Sequence, residues 1–81
     1  MADFIDFEQK EAAVALADTL NYDQAAKRLG ITASELKRQI AALELKLSLH
    51  IFDAMSERPA LTADGRILIE AIRAALRHKH R

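Results

Sequence analysis

The chain has 81 residues, 51% of them hydrophobic, with no Cys, two Gly, one Pro and only Phe4, Phe7, Phe52 and Tyr22 as aromatics; this bounds it to one small, mostly helical domain without disulfides or thiolate metal sites. Twelve basic and twelve acidic residues give a formal net charge of zero, without the overall basic footprint usual for a nucleic-acid binder. No segment approaches the ~20 apolar residues of a membrane span and no basic stretch followed by an apolar one marks a signal peptide, so the sequence reads as cytoplasmic with no membrane partner. The charge is unevenly spread. Residues 1–20 hold five acids against one base, a net of −4, and residues 21–47 hold five bases against three acids, a net of +2. Residues 48–62 hold two acids against one base, a net of −1, and residues 63–81 hold five bases against two acids, a net of +3.

From Asp6 to Leu20, apolar side chains recur at Phe7, Ala12, Ala13, Leu16, Ala17 and Leu20, a helical spacing that predicts a first helix. Asn21 breaks it. Asp23 to Leu29 predicts a second helix with Ala25, Ala26 and Leu29 inward, and Gly30 stands where a left-handed residue commonly ends a helix. Ile31 anchors the turn. Thr32 to Glu35 (TASE) matches a capping box and opens a third helix running to about Leu47. Leu36, Ile40, Leu43 and Leu47 form its apolar stripe. Ser34, Arg38, Ala41 and Leu45 lie opposite, flanked by Lys37 on one side and by Glu35 and Ala42 on the other.

Leu49 to Asp53 alternates like a strand, residues 54–60 read as a turn containing Pro59, and Ala60 to Thr62 suits a second strand. Together they predict a two-stranded hairpin, or wing. Thr62 caps a last helix from Ala63 to about His78. Its apolar residues wrap roughly 200° of arc, where packing on its own core needs about 100° or slightly more. The excess asks for a second partner, with Leu68, Ile69, Ile72, Ala75 and Leu76 as the candidate dimer interface.

Two short helices joined at Gly30, the second with a basic and hydroxyl-bearing face, have the layout of a helix-turn-helix that reads DNA. Candidate DNA contacts are Thr32, Ala33, Ser34, Lys37 and Arg38 at the start of the third helix. Lys27 and Arg28, near the entrance, suit phosphates, and Arg58 is the wing's basic residue. A bidentate Arg38–guanine contact is worth roughly 1–3 kcal/mol of discrimination. Thr32 is first a cap, with phosphate contact through the adjacent helix N-terminus as a second role. The RHKHR end from Arg77 to Arg81 adds sequence-independent attraction to DNA. His50, His78 and His80 find no carboxylate or Cys to complete a metal shell. No nucleophile motif or phosphate-cradling Gly-rich loop appears, so neither an enzyme nor a cofactor is expected.

Asn21 to Leu29 (NYDQAAKRL), Ile31-Thr32, Arg38 to Ile40 (RQI), Leu43-Glu44, Leu47, Ile51-Phe52 and Leu61 to Gly65 (LTADG) together resemble the DNA-binding domain of LysR-type transcriptional regulators. The resemblance runs from about Phe7 to Leu76. It implies a winged helix-turn-helix over residues 1–62, with a three-helix core and a short β-hairpin wing. A long linker helix follows over residues 63–81 in the same structural unit. In that family the linker helices pair two subunits, so a homodimer reading two half-sites of double-stranded DNA is expected.

Departures are specific. Ala33, Ser34 and Lys37 stand where the family usually has Gln-Pro and a later Ser, and Ala33 offers no side-chain hydrogen bond to a base. Asp53 and Ala54 replace a basic residue after Phe52, which leaves Arg58 as the wing's basic contact. Ser48 and Leu20 stand at usual Gly positions. The sequence stops at Arg81 where family members continue into an effector-binding domain; the expectation is a fragment or a stand-alone DNA-binding domain with no small-molecule effector site. The alternative from another class is a non-enzymatic interaction or dimerisation module that modulates a full-length regulator. Its motivation is the zero net charge, Ala33, Glu35 near the reading face and the missing effector domain.

Overall fold

The computed structural model describes residues 5–53 and 58–78, which form four helices: α1 (Phe7–Thr19), α2 (Tyr22–Leu29), α3 (Ala33–Leu47) and α4 (Ala63–His78). Local chemistry sets each boundary. At α1 the Asp6 N–H donates to Gln9 Oε1 at 3.2 Å. Leu20 ends the helix in the left-handed region (φ 51), its N–H donating to the Leu16 carbonyl at 2.7 Å. Asn21 then caps α2, its Oδ1 accepting from the Gln24 N–H at 2.9 Å. The helix therefore begins at Tyr22, one residue before the predicted start.

Gly30 (φ 72) closes α2 with its own N–H on the Lys27 carbonyl and the Ile31 N–H on the Ala26 carbonyl. That pair of bonds satisfies two carbonyls left open at the helix end and turns Ile31 inward. Thr32 Oγ1 accepts from the Glu35 N–H at 3.0 Å and starts α3. Ser48 (φ 55) ends α3 in the same way as Gly30 ends α2, with Leu49 N–H on the Glu44 carbonyl at 3.2 Å.

α1 is the central element and packs against each of the other three helices. Its Ala12, Ala13 and Ala15 are buried; short side chains there let the neighbours approach closely. Leu16, Leu36, Leu43, Ile51 and Ile69 are the largest fully buried side chains, each contributing roughly 1.5–3 kcal/mol through loss of apolar surface to water.

The predicted two-stranded wing is not found among the described residues. A single antiparallel bridge, Phe52 to Leu61, is there instead, with Asp53 N–H on the Ala60 carbonyl at 2.7 Å and Thr62 N–H on the Ile51 carbonyl at 3.0 Å. Within this register the Ile51 N–H, which could pair with Thr62, is instead taken by a side chain. The N–H groups of Ile51 and Phe52 both donate to Glu44 Oε2, at 2.8 and 3.1 Å. Residues 54–57, the first part of the expected 54–60 turn, lie outside the described residues.

The start of α4 is clamped to this segment. Thr62 Oγ1 accepts from the Gly65 N–H at 2.9 Å while donating to the His50 carbonyl at 2.6 Å. A Cβ at Gly65 would overlap the backbone of Ile51. The Leu-Thr-x-x-Gly pattern is thus a geometric requirement for laying α4 against the Ile51 backbone.

Candidate nucleic-acid interface

With Leu36, Ile40 and Leu43 facing the core, α3 turns Ser34, Lys37, Arg38, Ala41, Ala42 and Leu45 outward, all exposed. Thr32 is exposed at the helix N-terminus, and Ala33 is half-buried against the core. The polar members occupy the first two turns. Beyond Arg38 the outward face is apolar, ending at Leu45, which is 82% exposed.

Arg38 and Lys37 are both partnered. Arg38 has a side chain 73% exposed, and its Nη2 donates to Glu35 Oε1 at 2.6 Å. Gln39 Nε2 donates to the other oxygen of Glu35 at 2.9 Å. Those two hydrogen bonds, Arg38's first, hold the Glu35 carboxyl below its ordinary pKa. Lys37 Nζ stands 5.1 Å from the centre of the Tyr22 ring, a cation–π distance. Burial, and then the Glu44 charge, push the Tyr22 hydroxyl upward, so the ring stays neutral beneath the ammonium.

The other candidate cations divide. Lys27 is exposed on the last turn of α2. Arg28 instead leans on α1, with Nη1 donating to Asp18 Oδ2 at 3.1 Å, while Arg73 Nη2 of α4 donates to Asp18 Oδ1 at 2.5 Å. Asp18 thereby joins α1, α2 and α4, and the Arg73 hydrogen bond is the first cause of its lowered pKa. Arg28 is therefore a tie within the fold before it is a phosphate contact. Arg58 is exposed and shares a groove with Asn21, Tyr22, Asp23, Ala33, Lys37 and Pro59. Two cations meet there with the carboxylate-bearing Asp23 on the first turn of α2, so the groove is of mixed charge.

The two faces of α4 correct the expected dimer interface. Ile69 and Ile72 are 2% and 3% exposed and belong to the chain's own core, while Leu68 and Leu76 are half-buried against it. Of the five residues only Ala75 is exposed; the outward apolar residues are Ile67, 71% exposed, with Ala71 and Ala75 one and two turns on. The broad apolar arc is thus divided, Ile69 and Ile72 serving the chain's own core and Ile67, Ala71 and Ala75 facing outward.

Sequence reasoning missed Glu44 and Asp18 as structural hubs. Glu44 stands in the Leu43-Glu44 pair that carries the family resemblance, which points to the position but not to its N–H partners; Asp18, an acid at a helix end, has no signal that singles it out. No group of three or more metal-ligating side chains occurs among the described residues. His80 and the His78 side chain lie outside them. No described helix is long and apolar enough to cross a membrane.

Comparison with known proteins matches residues 7–66 to the model of the bacterial regulatory helix-turn-helix proteins, lysR family. An uncharacterized HTH-type transcriptional regulator in the ibpB-leuC intergenic region of Azotobacter vinelandii is 34% identical over 80% of this chain and 45% of its own length. The HTH-type transcriptional regulator IlvR of Caulobacter vibrioides is 38% identical over 89% of this chain and 24% of its own. This chain thus spans less than half of either relative. Among solved structures, the CbnR DBD–DNA complex superposes with a TM-score of 0.88 at 34% identity, covering 94% of this chain and 87% of that one.

Proposed function

The chain belongs to the lysR family of bacterial regulatory helix-turn-helix proteins, and from that premise we propose that it is a sequence-specific, double-stranded-DNA-binding transcriptional regulator acting as a homodimer in the cytoplasm. α3 enters the major groove with Ser34, Lys37 and Arg38 toward the base edges. Thr32 and Ala33 bring the helix N-terminus close to the backbone. Lys27 and Arg58 take phosphates, with residues 58–62 lying along the flanking backbone. Arg28 joins them only by leaving Asp18.

The observation that carries this reading is the placement of Ser34, Lys37 and Arg38, all exposed, on the first two turns of a helix whose opposite stripe is buried. The fold shared with the CbnR DBD–DNA complex supports it. The homodimer rests on Ile67, Ala71 and Ala75, an apolar seam at helical spacing that the chain's own core leaves uncovered.

Selection of bound duplexes from a random pool, followed by titration of the winner across a KCl series, tests the reading. Affinity is expected to fall with salt at a slope of about −0.9 per phosphate neutralised, because binding releases counterions. Absence of duplex binding at low salt would falsify it. One observation favours the interaction-module alternative: Leu45, 82% exposed beside exposed Ala41 and Ala42, is apolar surface on the reading helix itself. Co-sedimentation with a full-length regulator in the absence of DNA would distinguish it.

A further inference from the structure

The carboxylate of Glu35 is more constrained than a surface acid needs to be. Its residue is fixed at the third position of α3 by the N–H bond to Thr32 Oγ1. Each carboxylate oxygen then has its own donor one turn on, Arg38 Nη2 on Oε1 and Gln39 Nε2 on Oε2. A carboxylate held at both oxygens cannot rotate freely, and the guanidinium bonded to it inherits that order. The Arg38 side chain is nonetheless 73% exposed, so most of its fork stands open to an incoming ligand.

We propose that Glu35 is a positioning residue for base reading, holding Arg38 ready for a bidentate contact with guanine while cancelling its attraction for phosphate. This rests on the DNA-reading role of α3 argued above. A guanidinium carries five donors; the carboxylate takes one, and the rest remain for the two major-groove acceptors of guanine, N7 and O6. Fixing the rotamer beforehand removes ordering entropy that a free arginine loses on binding.

The second half follows from charge. Glu35 and Arg38 together are neutral, so the pair releases few counterions, and its acid is repelled by any phosphate that approaches. A duplex lacking guanine at this position then gains little from Arg38. In a chain of net charge zero, Glu35 shifts binding from indiscriminate attraction toward base recognition.

The test compares a duplex selected by the wild-type chain with a scrambled duplex of the same composition, over a KCl series. Glu35→Gln keeps the size of the side chain and an acceptor for Gln39 but removes the charge. It is expected to lower the ratio of selected to scrambled affinity about tenfold and to steepen the salt slope on scrambled DNA by about one unit. Glu35→Asp keeps the charge but shortens the reach, and is expected to lower the ratio with the slope unchanged. In an Arg38→Ala background, Glu35→Gln is expected to leave the ratio within about twofold, because its effect on reading runs through that guanidinium.

Unchanged ratio and slope in Glu35→Gln overturn the proposal, as does an equal fall of the ratio in the Arg38→Ala background. Failure of the wild-type chain to prefer any duplex overturns the reading of α3 itself, and this inference with it.

Discussion

α3 and α4 are built alike and finished differently. They have 15 and 16 residues, and each is opened by a threonine whose hydroxyl accepts from the N–H three residues on, Glu35 for Thr32 and Gly65 for Thr62. Each commits a buried apolar stripe to the core, Leu36, Ile40 and Leu43 in one, Ile69 and Ile72 in the other. The outward faces diverge. α3 begins with Ser34, Lys37 and Arg38, whereas α4 presents Ile67, Ala71 and Ala75. The buried stripe decides where a helix sits. In the proposed function, the face left over would meet a hydrated, anionic groove in one case and another apolar helix in the other.

The largest effects should come from confusing the two faces of α4. Ile69→Ala is expected to cost about 3 kcal/mol of stability by leaving a cavity, and Gly65→Ala about as much through forced backbone displacement. Ile67→Ala should leave the urea midpoint nearly unchanged. Equal losses at positions 67 and 69 would abolish the assignment of faces.

Next come effects on association with stability preserved. Ile67→Glu is expected to sediment as a monomer with an unaltered helical CD spectrum, and to lose affinity for a two-half-site duplex. Arg38→Ala is expected to keep the wild-type sedimentation and lose roughly 1–3 kcal/mol of preference for the selected duplex. A monomeric Arg38→Ala would contradict the division of labour.

Smaller again are the helix ends. Leu20 and Ser48 hold φ values of 51 and 55, a conformation that costs a residue with a Cβ about 1 kcal/mol or more. Leu20→Gly and Ser48→Gly are each expected to raise stability by about 0.5–1 kcal/mol, the gain being trimmed by glycine's greater freedom when unfolded. A lowered melting temperature in both would show that the surrounding contacts override the backbone.

The smallest effect concerns pH. The Asp18 and Glu35 carboxyls are held below their ordinary pKa by hydrogen bonds from Arg73 and Arg38 respectively. Both therefore contribute stability that is fully present above the ordinary carboxylate value of about 4. It is lost as pH falls through their lowered folded values. Asp18→Asn should flatten this acid limb, which a thermal melt series from pH 6 downward would detect; an unchanged limb would mean that Asp18 contributes no pH dependence.

Most of the helical frame was legible because its signals are local. Thr32, Gly30 and Thr62 mark boundaries through side chains or φ values within a turn of the residues they affect, and α3 and α4 occupy the predicted ranges. What the sequence concealed depends on partners distant along the chain. The strand-like alternation of residues 49–53 could not reveal that Glu44 takes the N–H groups of Ile51 and Phe52. The broad arc of α4 does not say which side meets the core, so from sequence alone the buried Ile69 and Ile72 cannot be told from the exposed Ile67. Arg28 looked like a free cation because Asp18 and Arg73, its companions in the fold, stand on other helices. At the reading face, the residue types of Ser34, Lys37 and Arg38 were visible at once. The coupling of Arg38 to Glu35 needed side-chain geometry.

The seam between Gly65 and the Ile51 backbone has a mechanical consequence. With no Cβ at Gly65 and the Thr62 hydroxyl holding the His50 carbonyl, α4 leaves the reading unit without a compliant joint. In a paired assembly the two α3 helices would then keep a set angular phase around the duplex. A spacer lengthened by about 5 base pairs, half a turn of B-DNA, would put the second half-site on the far side, where stiffness forbids the protein to follow. An operator lengthened by about 10 base pairs would restore the phase but not the distance.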